Sequence, residues 1–276
     1  MEYNINLLKQ LVITVYDKIK PLLGTKQAAK KSKRGAGGDV SMYIDLFAEN
    51  TIIKFLEEKN ADLLLISEEI GEKYIGDEEK ARRKKKVLIV DPIDGSNNAI
   101  RDIPFCSVSI AYAIGDNVND IKRAVILDLT TKDIYWAEKG KGAYLNDSRI
   151  NVSDFEIPQE CFFEINLPMK NLIKNLNMLN LIIKKFYKIR IMGSSALSLC
   201  QIAKGSMDAF INMRKSNRLV DVAAGILILK EAGGRIFSLE GEEIKSPLSI
   251  NEKFPFIACN AKLELFLKDA FNYSTI

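Results

Sequence analysis

The order of strand and helix patterns predicts a mixed chain in two halves, an α+β half over residues 1–150 and an α/β half over 151–276, joined near 147–158. Three observations carry this expectation. Short β-branched runs bounded by turn-formers recur along the chain, two long amphipathic patterns precede a run of closely spaced strands, and beyond residue 158 strands and helical patterns alternate.

Taken in order, Leu7, Leu8, Leu11, Val12, Val15 and Ile19 recur at helical spacing, so residues 4–20 read as a helix stopped near Pro21. Residues 24–39 read as a basic loop ending in Gly35-Ala36-Gly37-Gly38-Asp39. A second helix runs from about Met42 to Lys59, with Ile44, Phe47, Ile52, Phe55 and Leu56 inward. Leu63–Ile66 is a strand leading into Ser67-Glu68-Glu69, and Val87–Val90 a buried strand leading into Asp91. Strands follow near 105–113, 123–128 and 133–138, and Gly140–Asn146 closes the meander as a hairpin. In the second half, strands at Cys161–Ile165, Lys188–Met192, Met207–Ile211, Gly234–Phe237 and Phe254–Cys259 alternate with helices at about 170–184, 194–204, 219–232 and 261–271.

Composition narrows the chemistry. With 47% hydrophobic and 28% charged residues in 276, the chain is an ordinary globular protein. No apolar stretch approaches the ~20 residues of a bilayer span, and no signal peptide is visible, so no membrane partner and a cytoplasmic location are expected. The four cysteines are scattered through apolar segments and read as buried thiols. The chain has no histidine, which removes Ser-His-Asp, Cys-His and HExxH catalysis. Catalysis must rest on carboxylates, lysines, hydroxyls or metal ions. Two basic clusters, Lys26–Arg34 and Arg82–Lys86, lack the interleaved aromatics that nucleic acid binding favours. They are solvated faces, or steer an anionic small molecule.

The most informative stretch is Asp91-Pro92-Ile93-Asp94-Gly95-Ser96-Asn97-Asn98. Two carboxylates on a sharp turn after a buried strand conflict with their low-dielectric surroundings, and a hard multivalent cation resolves the conflict. Alone, the motif is also compatible with a solvated Asx-turn. Glu68 and Glu69 also follow a strand, Asp221 starts an apolar helix, and Asp45 lies inside the second helix.

These residues carry a resemblance across almost the whole chain. Ser67-Glu68-Glu69, the Asp91–Asn98 motif, the segment Gly193 to Asp208, and Asp221-Val-Ala-Ala-Gly225 followed by Lys230-Glu-Ala-Gly-Gly234 occur in the order found in the inositol monophosphatase/fructose-1,6-bisphosphatase superfamily. Gly38–Asp45 and Asn212–Asp221 resemble its archaeal bifunctional type. The resemblance implies a layered αβαβα sandwich of the sugar-phosphatase type, a homodimer, and Mg²⁺-dependent hydrolysis of a small anionic phosphate ester. Two or three Mg²⁺ per site are implied, with Mn²⁺ as a substitute. It implies that Glu68, Asp91 and the Ile93 carbonyl hold a first ion, Asp91, Asp94 and Asp221 a second, and Glu68 with water a weaker third. Asp45, Ser96 and Glu68 would orient the attacking water. Asp94, Gly95, Ser96, Ser195, Arg214 and Asp221 would contact substrate, and Arg34, Gly35, Gly37, Gly38 and Asp39 would form a mobile loop.

Several positions depart from the family pattern: Val220 for Trp, Ala99 for Phe, Ser96 for Thr, and Asp102 where Gly is common. None removes an implied metal ligand. Arg214 stands where inositol-preferring members carry Glu, and suits a second phosphate, with Arg190 and Lys215 as further candidates. Fructose 1,6-bisphosphate and/or inositol 1-phosphate are the expected substrates. The alternatives are an NADP or 3′-phosphoadenosine nucleotide phosphatase, which would want a base-stacking aromatic, or a catalytically silent binding protein. A Ca²⁺ loop at Asp91 fits less well, because EF-hand ligand spacing is missing.

Overall fold

Apolar runs that are continuous rather than alternating imply strands covered on both faces, and the architecture is built on that requirement. The computed structural model describes residues 3–36 and 40–274. Helix α1 (Ile5–Ile19) is followed by the hairpin β1 (Lys31–Arg34) and β2 (Val40–Met42), then α2 (Tyr43–Glu58). Next come β3 (Leu63–Ser67), β4 (Gly71–Ile75), α3 (Glu78–Lys84), β5 (Lys86–Asp94) and the single turn α4 (Ser96–Ala99). The meander comprises β6 (Ser107–Ile114), β7 (Ile121–Asp128), β8 (Ile134–Glu138), β9 (Gly142–Leu145) and β10 (Ser148–Ile150). Then follow β11 (Phe162–Asn166), α5 (Leu172–Met178), α6 (Asn180–Ile183), β12 (Lys188–Arg190), α7 (Ser195–Ala203) and β13 (Ala209–Asn212). The chain closes with α8 (Leu219–Glu231), β14 (Arg235–Phe237), β15 (Phe256–Cys259) and α9 (Glu264–Ser274).

Two sheets result. The larger has the order β10-β9-β8-β7-β6-β5-β3-β4, antiparallel except for the parallel pair β3–β5. The smaller has the order β12-β11-β13-β15-β14, with β12, β11 and β13 mutually parallel. Helices α1 and α2 cover the outer face of the first sheet, α7 and α8 lie between the sheets, and α5, α6 and α9 cover the second sheet. The chain is thus the αβαβα sandwich expected from its motifs. Strand β5 shows why its apolar run is unbroken. Leu88 and Val90 face the α1–α2 core, while Val87 and Ile89 face the α7–α8 core. The central helices are correspondingly apolar nearly all round: Leu219, Val220, Val222–Leu229 of α8 are buried.

The sequence pattern missed several features, strand β4 among them. Lys31–Arg34 forms a strand instead of continuing the loop, paired with Val40–Met42. The basic cluster after Arg82 largely belongs to α3, whose last turn carries Arg82, Arg83 and Lys84, where cations complement the helix dipole. The expected helix at 170–184 is broken into α5 and α6.

Close approach of α7 and α8 depends on Gly225: a Cβ there would lie 2.5 Å from Leu199 Cδ1 and 2.9 Å from Leu199 Cβ. Gly225→Ala gains up to about 1 kcal/mol of helix propensity, but overpacking costs about 1–3 kcal/mol. A net loss in denaturant-unfolding free energy is therefore expected, reduced in a Leu199→Ala background. A net gain for Gly225→Ala alone would contradict this packing.

The second sheet also buries a carboxyl. Glu164 accepts a hydrogen bond from the Met192 N–H (3.1 Å), and desolvation pushes its pKa up to about 7 from 4.5. Between those two values folding takes up a proton, so stability falls as pH rises, by roughly 3 kcal/mol in all. Glu164→Gln should gain on the wild type in unfolding free energy as pH rises through this window. Parallel pH profiles for the two proteins would refute the assignment.

Candidate active site

Strands β3 and β5 run parallel with Ser67 opposite Val90, so Glu68, just past β3, and Asp91 of β5 stand side by side where this parallel pair ends, the usual place for a ligand crevice in parallel sheets. The β5–β6 ladder is irregular between Asp91 and Asp94, where Pro92 has no N–H to give. Asp91 Oδ1 accepts from the Ile93 N–H (3.1 Å), and the Ser96 hydroxyl donates to the Ile93 carbonyl (2.9 Å). Gly95 is held at φ 89°, and a Cβ there would lie 3.0 Å from the Phe105 carbonyl and 3.2 Å from that of Gly193. Only glycine meets both demands comfortably.

Three helix N-termini deliver the remaining groups. Asp221, in the first turn of α8, accepts the Arg218 backbone N–H on Oδ2 (2.9 Å). Asp94 Oδ2 accepts both the Ser194 hydroxyl (2.5 Å) and the Ala196 N–H (2.6 Å) at the start of α7. Asp45, in the first turn of α2, accepts the Met42 N–H (3.0 Å). Glu164 holds the Met192 N–H just before Gly193, steadying the turn into α7.

Glu68, Asp91 and Asp221 each present a carboxylate oxygen, all within 4.8 Å of one another. Asp94 stands beside this trio, its Oδ2 committed to α7. Burial dominates the electrostatics. It pushes Asp45 up to about 6, Asp94 to about 7 and Glu68 to about 8, with like-charged neighbours adding to the effect on each. Asp91 is raised well above the usual carboxylate range by desolvation and then by Glu68. The donor set is entirely hard oxygen, with no thiol or imidazole, and its charge repulsion is what a small divalent cation relieves. These residues fit Mg²⁺ or Mn²⁺.

A cleft of about 510 Å³ opens over the trio. Asp45, Glu68, Asp91, Ile93, Asp94, Gly95, Ser96, Ser195, Arg214 and Asp221 all line it, so the structure gathers these candidates into one place. Arg190 lies elsewhere: it is exposed on β12, its guanidinium 5.2 Å from the Phe162 ring centroid. Lys215 is exposed and outside the lining. Gly37, Gly38 and Asp39 fall outside the described residues, while Arg34 ends β1. Gly35 and Ala36 are docked on Glu69, whose carbonyl accepts the Ala36 N–H (2.9 Å) and whose carboxylate accepts the Ser41 hydroxyl. Sequence reasoning missed Lys31, which β1 brings into the cleft, and Arg218, which pairs with the acids. An arginine three residues before Asp221 at a helix start was the available signal for the second. Asp102, where the family favours Gly, adopts a left-handed φ of 58°, which accounts for that preference.

Comparison with known proteins agrees with this geometry. Residues 1–272 match the Inositol monophosphatase family. A fructose-1,6-bisphosphatase/inositol-1-monophosphatase from Methanothermobacter thermautotrophicus is 35% identical over 256 residues, covering 91% of this chain and 89% of the relative. A bifunctional NADP phosphatase/NAD kinase from Methanococcus maripaludis is 36% identical over 267 residues, covering 89% of this chain; the chain spans only 45% of that relative's length. Among solved structures, an inositol monophosphatase-fructose 1,6 bisphosphatase superposes with a TM-score of 0.83 at 30% identity, over 98% of this chain and 100% of its own. The extragenic suppressor protein suhB from Bartonella henselae superposes with a TM-score of 0.83 at 29% identity, over 97% of each chain. Sandwich, acidic trio and relatives lead to one conclusion: the chain belongs to the inositol monophosphatase family.

Proposed function

We propose that this phosphatase hydrolyses fructose 1,6-bisphosphate and/or inositol 1-phosphate with Mg²⁺. The observation that carries the proposal is one cleft holding an acidic trio together with two cations besides the acid-paired Arg218, namely Arg214 and Lys31. One reacting phosphate belongs over the acids, and the cations suit a second anionic group. Glu68, Asp91 and the Ile93 carbonyl would hold one ion, and Asp91, Asp94 and Asp221 another. Bound there, the ions would supply a nucleophilic water at neutral pH and charge stabilisation for the leaving oxygen. The chain's own groups do the positioning. Gly95 and the Ser96 N–H at the turn cradle the phosphate oxygens, while Ser96, Asp45 and Glu68 orient the water for in-line attack. No histidine is needed on this route.

A nucleotide phosphatase is the second reading, favoured by the relatives named for NADP phosphatase. Against it, no aromatic side chain lines the cleft among the described residues. The proposal includes a homodimer, supported by Met169, Ile173, Tyr187 and Ile191, which are exposed apolar residues in or around α5 and the edge strand β12. It also includes action in the cytoplasm, supported by four buried free cysteines.

Phosphate release from fructose 1,6-bisphosphate, inositol 1-phosphate, NADP and 3′-phosphoadenosine 5′-phosphate tests the reading. Chelation or Asp94→Asn should lower turnover on the order of 100-fold or more. Arg214→Ala should raise KM for the bisphosphate about tenfold while sparing inositol 1-phosphate. Preference for a nucleotide would replace the substrate assignment, and no release from any ester would overturn the catalytic one.

A further inference from the structure

Arg218 sits among the acids where charge balance calls for a cation. Its side chain is 11% exposed, with Nη2 2.6 Å from Glu68 Oε1 and Nε 3.3 Å from Asp221 Oδ1. Glu68 follows β3 and Asp221 lies in the first turn of α8, so the guanidinium fork bridges two layers beside the Glu68–Asp91–Asp221 oxygens. Its charge also acts on Asp91 and Asp45.

We propose that Arg218 is a positioning residue that exchanges with the divalent cation, competing for Glu68 Oε1 and Asp221 Oδ1 and thereby setting how tightly the site holds its metal. The inference rests on the cation-binding reading given above. Two other roles explain the side chain less well. Capping of α8 is done by the Arg218 backbone N–H on Asp221 Oδ2, which does not need the guanidinium. An anion clamp is better served by Arg214, which is exposed at the cleft, whereas an anion reaching Arg218 would meet Glu68 and Asp221 first.

Arginine and cation compete for the same carboxylates. A planar fork holds two carboxylates through charge-assisted hydrogen bonds and keeps them converged despite their mutual repulsion. A cation entering the trio draws on the same two carboxylates, Glu68 and Asp221, that the fork already holds, so the arginine lowers affinity while preserving the shape of the site. Buried ion pairs of this kind add little net stability in themselves, and the exchange gives this one a function.

The test is calorimetric titration of Mn²⁺ into the wild type, Arg218→Met and Arg218→Lys at mildly alkaline pH, with thermal unfolding recorded with and without Mn²⁺. Arg218→Met should bind Mn²⁺ about tenfold more tightly, the scale of one lost competing ion pair. Its Tm without Mn²⁺ should fall, and its Mn²⁺-induced rise in Tm should exceed that of the wild type. Arg218→Lys, a point charge without the fork, should lie between the two, and gives the same ordering against the wild type should Arg218→Met not fold. Equal or weaker Mn²⁺ affinity in the variants would overturn the exchange. So would a loss of Tm that is the same with and without Mn²⁺. A wild type that binds no Mn²⁺ would overturn the cation-binding reading as well.

Discussion

Like charge crowded against an apolar interior is the constraint on which the rest of this molecule depends. Glu68, Asp91 and Asp221 bring oxygens within 4.8 Å of one another in surroundings that disfavour ionisation of each. Left alone they would repel or take up protons. The structure offers two remedies, a guanidinium already threaded between Glu68 and Asp221 and an oxygen cage of the kind that suits a divalent cation. Where affinity for a cation meets competition from an arginine, binding becomes adjustable rather than merely tight.

The layers exist to hold that crowding in place. Parallel pairing of β3 with β5 puts two acids side by side, and the α7–α8 layer brings the third acid and the donors that hold Asp94. Because α7 and α8 are covered from both sides, they are apolar nearly all round and packed closely enough that Gly225 has no room for a Cβ. Rigid elements thus supply the acids, while the β1–β2 hairpin, docked through Glu69, supplies Lys31 at the cleft. Acids on a rigid frame and a cation on a hairpin suit a site that must fix its chemistry yet admit its substrate.

Much of this was legible in the sequence because the informative residues sit at discontinuities. Asp91 and Asp94 end a continuous apolar run, Glu68 ends another, and Asp221 interrupts an apolar helix. The fold followed from the same alternation together with the family resemblance. What was not legible lacked an apolar signature. Lys31–Arg34 is a strand written in charged residues, and α3 buries only Ala81, so neither shows a hydrophobic period. Glu164 lies inside an apolar strand and reveals itself only through its contact with Met192. Arg190 was a further candidate beside Arg214 in sequence; the edge position of β12 carries it away from the cleft.

The ends of β3, β5 and α8 are proposed to form one divalent cation site together. Anomalous diffraction from crystals soaked in Mn²⁺ addresses it most directly. An anomalous peak is expected, enclosed by the carboxylates of Glu68, Asp91 and Asp221 and absent from Asp91→Asn crystals treated in the same way. A Mn²⁺-soaked crystal with no peak among these three residues, or with its peak elsewhere on the chain, would contradict it.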